Sequence, residues 1–343
     1  MTLNFTNTKD SNDLYFDIEN VNLSLVNGLR RAVLSEFKTI GFKTEEYLNS
    51  DLKVIENTAS IHNEYILHRI GLVPIHYESI KSFDPSKYLF ILKKENTTNI
   101  TIDVTSEDFV VINTETGEEE NSIDFFPPDP QTKDFILILK LKPNPNKKGE
   151  KLHIEGTASI DSGSQNARFS PVSCVAFKNK IDETKKDAGL EDYLSKNLSS
   201  EESTNSKLIK SKTLEFELGH ADRYFHTDKN NNPNVFEMQI ESIGVVSSHL
   251  ILYDTLQLLK DKCININTII NSIITEHIDS DKIKIYKSTD TMDAIEIEIQ
   301  HETHTLGNII QSYASELFDT EQLQFIGYKN PHPLKKYIIV KLK

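Results

Sequence analysis

One nucleophile–base pairing to weigh is a cysteine with a histidine: Cys174 with a histidine such as His153 or His220 could in principle form one. Cys174 sits in the apolar run Val172-Ser-Cys-Val-Ala-Phe177. No catalytic signature surrounds it, so the run reads as a core strand with an inert thiol. The other cysteine is Cys263, and two cysteines cannot build a four-cysteine metal site or a disulfide framework. His332 lies between Pro331 and Pro333 with no second ligand at useful spacing. A glycine-rich phosphate loop and a paired-carboxylate metal motif are both missing. No catalytic residue, cofactor or metal is therefore expected. What remains is suited to recognition. Arg30-Arg31 and His68-Arg69 are adjacent cationic pairs on predicted helices, and a guanidinium matches carboxylate or carbonyl partners well. Neighbours on a helix point about 100° apart, so at most one of Arg30 and Arg31 can lie near a buried stripe. Read from the residues alone, they make a solvated pair.

These residues belong to a chain of 343, long enough for two domains. Hydrophobic content of 37% with 26% charged residues fits a folded protein. No apolar run is long enough for a membrane span, and the polar start lacks a signal-peptide pattern. There are 38 basic and 52 acidic residues, a net charge of −14. Proteins that grip phosphates carry the opposite sign, so direct sequence-specific contact with nucleic acid is not expected, and any such role runs through partner proteins.

Several elements must position the recognition residues. Residues 14–18 form a strand candidate, followed by a helix with Ser24 as cap and Val26, Leu29, Val33 and Phe37 at helical spacing. A short helix spans about 62–70, stopped by Gly71 and Pro74. From 82 to 170 short apolar runs alternate with turn-rich pieces, which reads as an inserted β-rich domain. Residues 180–212 are polar and read as a flexible loop. A long helix is expected over 248–278, with Leu252, Leu256, Leu259, Cys263, Ile266, Ile270 and Ile273 as a heptad seam that demands a partner. The last 63 residues read as strand, strand, helix, strand, strand, with Leu306, Ile309, Ile310, Tyr313, Ala314, Leu317 and Phe318 on one helix face.

Residues 14–37 align with 295–318 at a constant offset of 281 and without a gap. Ile18 meets Ile299, Leu25 meets Leu306, Asn27 meets Asn308, Phe37 meets Phe318, and Ser24 meets Thr305. Strand, polar loop, cap hydroxyl and amphipathic helix fall in one register, as expected of two copies of a unit that pack as a pseudo-symmetric pair. Within it, Asn27 and Asn308 are expected to tie the loop to the helix start, and Gly307 and Gly327 to permit turns or close approach.

The segment Asn22-Leu-Ser-Leu-Val-Asn-Gly-Leu-Arg-Arg31 resembles the first-helix motif of the bacterial RNA polymerase α subunit and its archaeal and eukaryotic counterparts. His62-Asn-Glu-Tyr-Ile-Leu-His-Arg-Ile-Gly-Leu-Val-Pro74 and Arg168-Phe-Ser-Pro-Val172 resemble two further stretches of the larger α-like subunit. Glu302-Thr-His-Thr-Leu-Gly-Asn308 with Phe325-Ile-Gly-Tyr-Lys-Asn-Pro-His-Pro333 resembles the smaller α-like subunit. The two in one chain are similar to the arrangement in large cytoplasmic DNA viruses, such as the African swine fever group and the giant viruses.

The resemblance implies an α+β, α-like dimerisation fold in two halves. The larger half would comprise 1–47 and 213–278, with a β-rich insertion at 48–180 and a linker or loop at 181–212. The smaller half, 281–343, would lack the usual C-terminal helix, leaving the 252–273 seam to be covered by 306–318 and a neighbouring subunit. It implies a non-catalytic subunit of a DNA-directed RNA polymerase, a nucleotidyltransferase complex, docking the largest and second-largest subunits together with small ones. Arg30, Arg31, His68, Arg69, Phe169, Pro171 and His332 would then face partners, and the chain would work in a viral factory in the cytoplasm, in a virion, or in the nucleus. The competing readings are an interaction module outside transcription and a cysteine-dependent enzyme.

Overall fold

The computed structural model describes residues 1–5, 11–46, 49–77, 79–144, 149–198, 205–276, 280–288, 293–319 and 321–343. The chain divides into two compact units: residues 1–33, 174–241 and 248–343 form one, and 34–173 with 242–247 form the other. The second unit thus starts at Leu34, well before position 48, and closes at Ser173.

In the first unit, β1 (Thr2–Phe5), β2 (Asp13–Glu19), β13 (Val235–Ser242) and β12 (Val172–Asn179) make a sheet in the order β1-β2-β13-β12. β2 and β13 pair antiparallel with Phe16 opposite Met238 and Ile18 opposite Phe236. Alternation sends Leu14, Phe16, Ile18, Phe236, Met238 and Ile240 inward, the pattern of a sheet with one covered face. A second sheet, in the order β14-β15-β17-β16, joins β14 (Ile283–Lys287), β15 (Ile295–Gln300), β17 (Tyr337–Leu342) and β16 (Ile326–Lys329). Helices α1 (Leu23–Ser35), α6 (Ser248–Glu276) and α7 (His304–Leu317) serve these sheets.

Helices α4 (Glu183–Asn197) and α5 (Ser206–Gly219) occupy much of the stretch expected to be a flexible loop, of which 199–204 lie outside the described residues. Two side-chain caps start them: Asp182 accepts from the amides of Thr184 and Lys185, and Asn205 from those of Lys207 and Leu208. They are held by an aromatic cluster in which Tyr193 lies 5.5 Å from Phe216, and Phe216 5.5 Å from Tyr224. Gly189 permits this, since a Cβ there would stand 2.3 Å from the Tyr224 ring. Composition missed a few well-placed aromatics that suffice to order a polar helix pair.

Along α6 the seam is only partly a heptad. Leu252 and Leu259 are buried and Leu256 half-buried, but Cys263 is exposed. The lower seam positions Ile266, Ile270 and Ile273 are half-buried, joined by Ile269, and pack on Ile283, Ile299, Ile338 and Val340 of the second sheet. That sheet covers the lower seam from within the chain, and Ile264 and Ile274 stay exposed.

The other unit is β-rich. Its main sheet runs β4-β10-β5-β7-β8, built from β4 (Leu52–Asn57), β10 (Lys151–Gly156), β5 (Tyr88–Glu95), β7 (Phe109–Asn113) and β8 (Glu119–Glu120). Two-stranded sheets pair β11 (Ser159–Ser162) with β3 (Lys38–Gly41) and β6 (Ile102–Thr105) with β9 (Leu137–Leu141). α2 (Asn63–Gly71) and the short α3 (Ser122–Phe125) complete it. Phe90, fully buried, anchors the core edge-on to Phe42 at 5.2 Å and to Phe125 at 5.7 Å. Phe90→Ala should therefore cost about 3–5 kcal/mol. Chemical denaturation followed by fluorescence or circular dichroism checks the figure, and a loss below about 1 kcal/mol would show that the site collapses freely.

Candidate functional site

The recognition motifs fall at two places, one in each unit. In the first unit the two repeat-related helices meet. A Cβ built on Gly28 would lie 2.7 Å from Cδ1 of Ile309 and 3.7 Å from Cγ2 of Thr305, so α1 and α7 touch there with no side chain between. Arg31 Nε donates to Thr305 Oγ1 at 3.2 Å, and the Asn22 amide donates to Glu316 Oε1. Early residues of one helix meet late residues of the other, so the pair is antiparallel. Gly28 and Ile309 occupy the same repeat position.

The approaches to the two helices also match. Asn20 ends β2 and His301 ends β15 in left-handed backbone, φ 58° and 61°. Their amides donate to the carbonyls of Asn234 and Lys336 at 2.9 and 2.6 Å. The caps are Asn22, whose Oδ1 accepts from the Ser24 amide at 2.8 Å, and Thr303, whose Oγ1 accepts from that of Thr305 at 3.4 Å. They lie two residues before the expected Ser24 and Thr305, at the same offset. Ser24 and Thr305 instead sit buried in the first turns.

Val26, Leu29, Val33, Phe37 and Leu306 are buried, and Ile310 and Tyr313 half-buried. Burial raises the Tyr313 phenol, an effect opposed by a hydrogen bond with the Asn22 backbone. Leu317 is 74% exposed, because the last turn of α7 runs past the start of α1. Asn27 does not tie down the loop: it lies on the helix and accepts from Arg30 Nε and Nη2 at 3.2 and 3.0 Å. Asn308 is half-buried on α7. Gly307 is a place of close approach, with the Tyr328 ring 2.5 Å from where its Cβ would be, and Gly327 takes the Phe325 ring at 2.9 Å. Arg31 gives its Nε to α7 within the chain, Arg30 lies on the helix beside Asn27, and both are half-buried.

In the second unit α2 turns Ile66, Leu67 and Ile70 inward. Its outer face shows Tyr65, 71% exposed, then His68, Arg69 and Leu72, 58% exposed. Arg69 Nη2 donates to the Leu137 carbonyl at 2.9 Å, and Ile136 and Leu137 extend the apolar surface. Phe169 and Pro171, by contrast, are buried and cannot meet a partner. The Phe169 ring lies over Gly41, 3.0 Å from a Cβ position, and its carbonyl accepts from Thr39 Oγ1 at 2.9 Å. The neighbouring Arg168 is also internal, its side chain 5% exposed. It donates to Phe42 O at 2.8 Å and Thr44 Oγ1 at 2.7 Å, and pairs with Glu45 at 3.0 Å. Gly71 makes room for it: a Cβ there would fall 2.0 Å from Arg168 Nη1. Two motifs 97 positions apart are thus one structural clasp.

His332 is exposed in its turn, where Nδ1 accepts from the Leu334 amide at 3.2 Å. The histidines considered for Cys174 are engaged elsewhere, His153 with Glu155 at 2.6 Å and His220 against the Tyr193 ring, tilted, at 5.2 Å. Among the described residues no three His, Cys, Asp or Glu side chains are grouped to hold a metal ion, and no helix is long and apolar enough to cross a membrane.

Two copies of one strand–turn–helix unit, joined helix to helix, define a dimerisation fold of the RNA polymerase α type. The RNA polymerase Rpb3/Rpb11 dimerisation domain matches residues 15–263 and again 294–343, and the chain belongs to that family. A conjugation stage-specific protein of Tetrahymena thermophila is 30% identical over 180 residues, 47% of this chain and 54% of its own. Subunit 3 of RNA polymerases II, IV and V of Arabidopsis thaliana is 27% identical over 49% of this chain and 53% of its own. RNA polymerase II subunit RPB3 of Schizosaccharomyces pombe is 24% identical over 73% and 81%. The chain spans about half the length of the first two.

The clasp makes a distinct prediction. Gly71→Ala should destabilise the protein by about 1–3 kcal/mol, by driving Arg168 from its buried acceptors. In an Arg168→Ala background the same substitution should cost less, the remainder coming from Thr44 Oγ1, 2.3 Å from the same Cβ position. Equal costs in a double-mutant cycle, read by urea denaturation, would show that the two residues are not coupled.

Proposed function

We propose that this chain is a non-catalytic assembly subunit of a DNA-directed RNA polymerase, in which larger and smaller α-like halves pair within one polypeptide. The antiparallel contact of α1 with α7 at equivalent repeat positions carries this reading. Paired helices of this kind make a rigid base, and the surfaces left outside them are free to hold other chains. The α2 face, with aromatic, aliphatic and cationic groups together, has the composition of an interface centre. Arg30 and the His332 turn offer smaller contacts. The largest and second-largest subunits, with small subunits beside them, are the proposed occupants, and the chemistry of RNA synthesis belongs to them. A net charge of −14 favours docking through protein over a grip on nucleic acid. Both halves in one chain favour a source among large cytoplasmic DNA viruses, working in the cytoplasmic factory or the virion, with the nucleus as the alternative site.

Affinity-tagged chain recovered from its native cells and resolved by size exclusion should co-elute with the two largest polymerase subunits, identified by mass. Recovery alone, or with unrelated proteins, would overturn the reading. Tyr65→Asp combined with Leu72→Asp should lower that co-elution by roughly ten-fold with little change in thermal stability, because both side chains are exposed. Undiminished co-elution would move the docking surface away from α2.

A further inference from the structure

The centre of the helix pair is asymmetric where its symmetry is closest. Gly28 and Ile309 are one repeat position, separated by the offset of 281, yet one is a notch and the other a knob. On either side the contacts follow the same antiparallel register, Arg31 with Thr305 on one flank and Asn22 with Glu316 on the other. The approximate two-fold axis therefore runs between Gly28 and Ile309.

A residue on such an axis faces its own copy in any pair of like helices. Two α1 helices in this geometry would set Gly28 against Gly28 and leave a void where the Ile309 side chain now sits. Two α7 helices would set Ile309 against Ile309, although one such side chain already reaches within 2.7 Å of a Cβ position. The flank does not decide between these pairs: Arg31 finds the Thr305 hydroxyl, and in an α1–α1 pair it would meet the hydroxyl of Ser24, the equivalent of Thr305. The choice therefore rests on the axis residues.

We propose that the Gly28–Ile309 notch and knob set the pairing specificity of the fold. They make α1 select α7 and reject a second copy of either helix, so the chain completes itself and does not pair through this axis with another molecule. The proposal deepens the reading of the chain as an internally paired α-like subunit, since it names the residues that enforce the pairing. Ile309 meets position 28 with the end of its side chain, so a single methyl can be accommodated by rotation, but a β-branched side chain at 28 cannot.

The full-length chain is tested as Gly28→Ile, Ile309→Gly and the exchange of both, with Tm and with retention of untagged copies by tagged copies as readouts. Each single variant should lose roughly 5–10 °C of Tm. The exchange variant should regain more than half of that loss, because knob and notch are restored with their sides reversed. Ile309→Gly makes the axis positions alike, and its tagged copies should retain several-fold more untagged chain than wild type, an increase that the exchange variant abolishes. If Gly28→Ile yields no soluble protein, Ile309→Gly carries the test alone, and retention of untagged chain no greater than that of wild type would overturn the proposal. Additive losses, or self-association that the exchange leaves unchanged, would overturn the proposal. Co-elution with the large polymerase subunits is scored separately on wild-type chain, so failure of the functional reading and failure of the pairing code are told apart.

Discussion

The close approach of α1 to α7 across Gly28 is the contact on which the first unit depends. Each of its two sheets has an apolar face, and neither is large enough to cover itself. α1 buries Val26, Leu29 and Val33, and α7 buries Leu306. Each such side chain contributes about 1.5–3 kcal/mol on burial, set against the entropy of ordering the chain. The partners are nearly the full length of the polypeptide apart, but loop closure grows only logarithmically, by about 0.6 kcal/mol per doubling. A whole β-rich unit and a 29-residue helix can therefore stand between them at small cost to the joint.

The same logic explains why the two copies share so few residues and so much geometry. What each must do is leave a strand, turn sharply and start a helix at a set angle. Asn20 and His301 both perform the turn with positive φ, the first a residue type that tolerates it and the second held by its backbone hydrogen bond to Lys336. Asn22 and Thr303 both cap, with different side-chain oxygens. Chemistry that can be done by several residue types drifts, while the positions at which it is done stay put.

That distinction also marks how far the sequence could be read. Strongly periodic elements were legible: β2, α1, α2, α6 and α7 all have helical or alternating spacing that tolerates no other structure. The repeat offset located the helix pair, because amphipathic faces at equivalent positions have to meet something alike. α4 and α5 were not legible. Their order comes from Tyr193, Phe216 and Tyr224 closing on one another around Gly189, a tertiary effect with no local period. Cys263 fell on the seam by counting sevens, yet it is exposed while Ile266, Ile270 and Ile273 on the same count are covered by the second sheet. The direction in which Arg31 points, toward α7, depends on a partner helix almost three hundred residues away and is invisible to local reasoning.

The motif residues divide by burial, and burial separates two uses of the same chemistry. Arg168 spends its guanidinium on acceptors inside the chain, Phe42, Thr44 and Glu45, while Arg31 gives its Nε to Thr305. A guanidinium as enclosed as that of Arg168 orients backbone and cannot also bind a second protein. Arg69 spends one nitrogen on Leu137 and lies open beside His68, Tyr65 and Leu72. A recognisable motif therefore mixes residues that hold a surface in place with residues that are the surface. In His62-Asn-Glu-Tyr-Ile-Leu-His-Arg-Ile-Gly-Leu-Val-Pro74, Ile66, Leu67, Ile70 and Gly71 do the holding. Rigid support beneath an exposed mixed face lowers the entropy lost when a partner lands on it, so under the proposed docking role the buried half of the motif would serve without touching the partner.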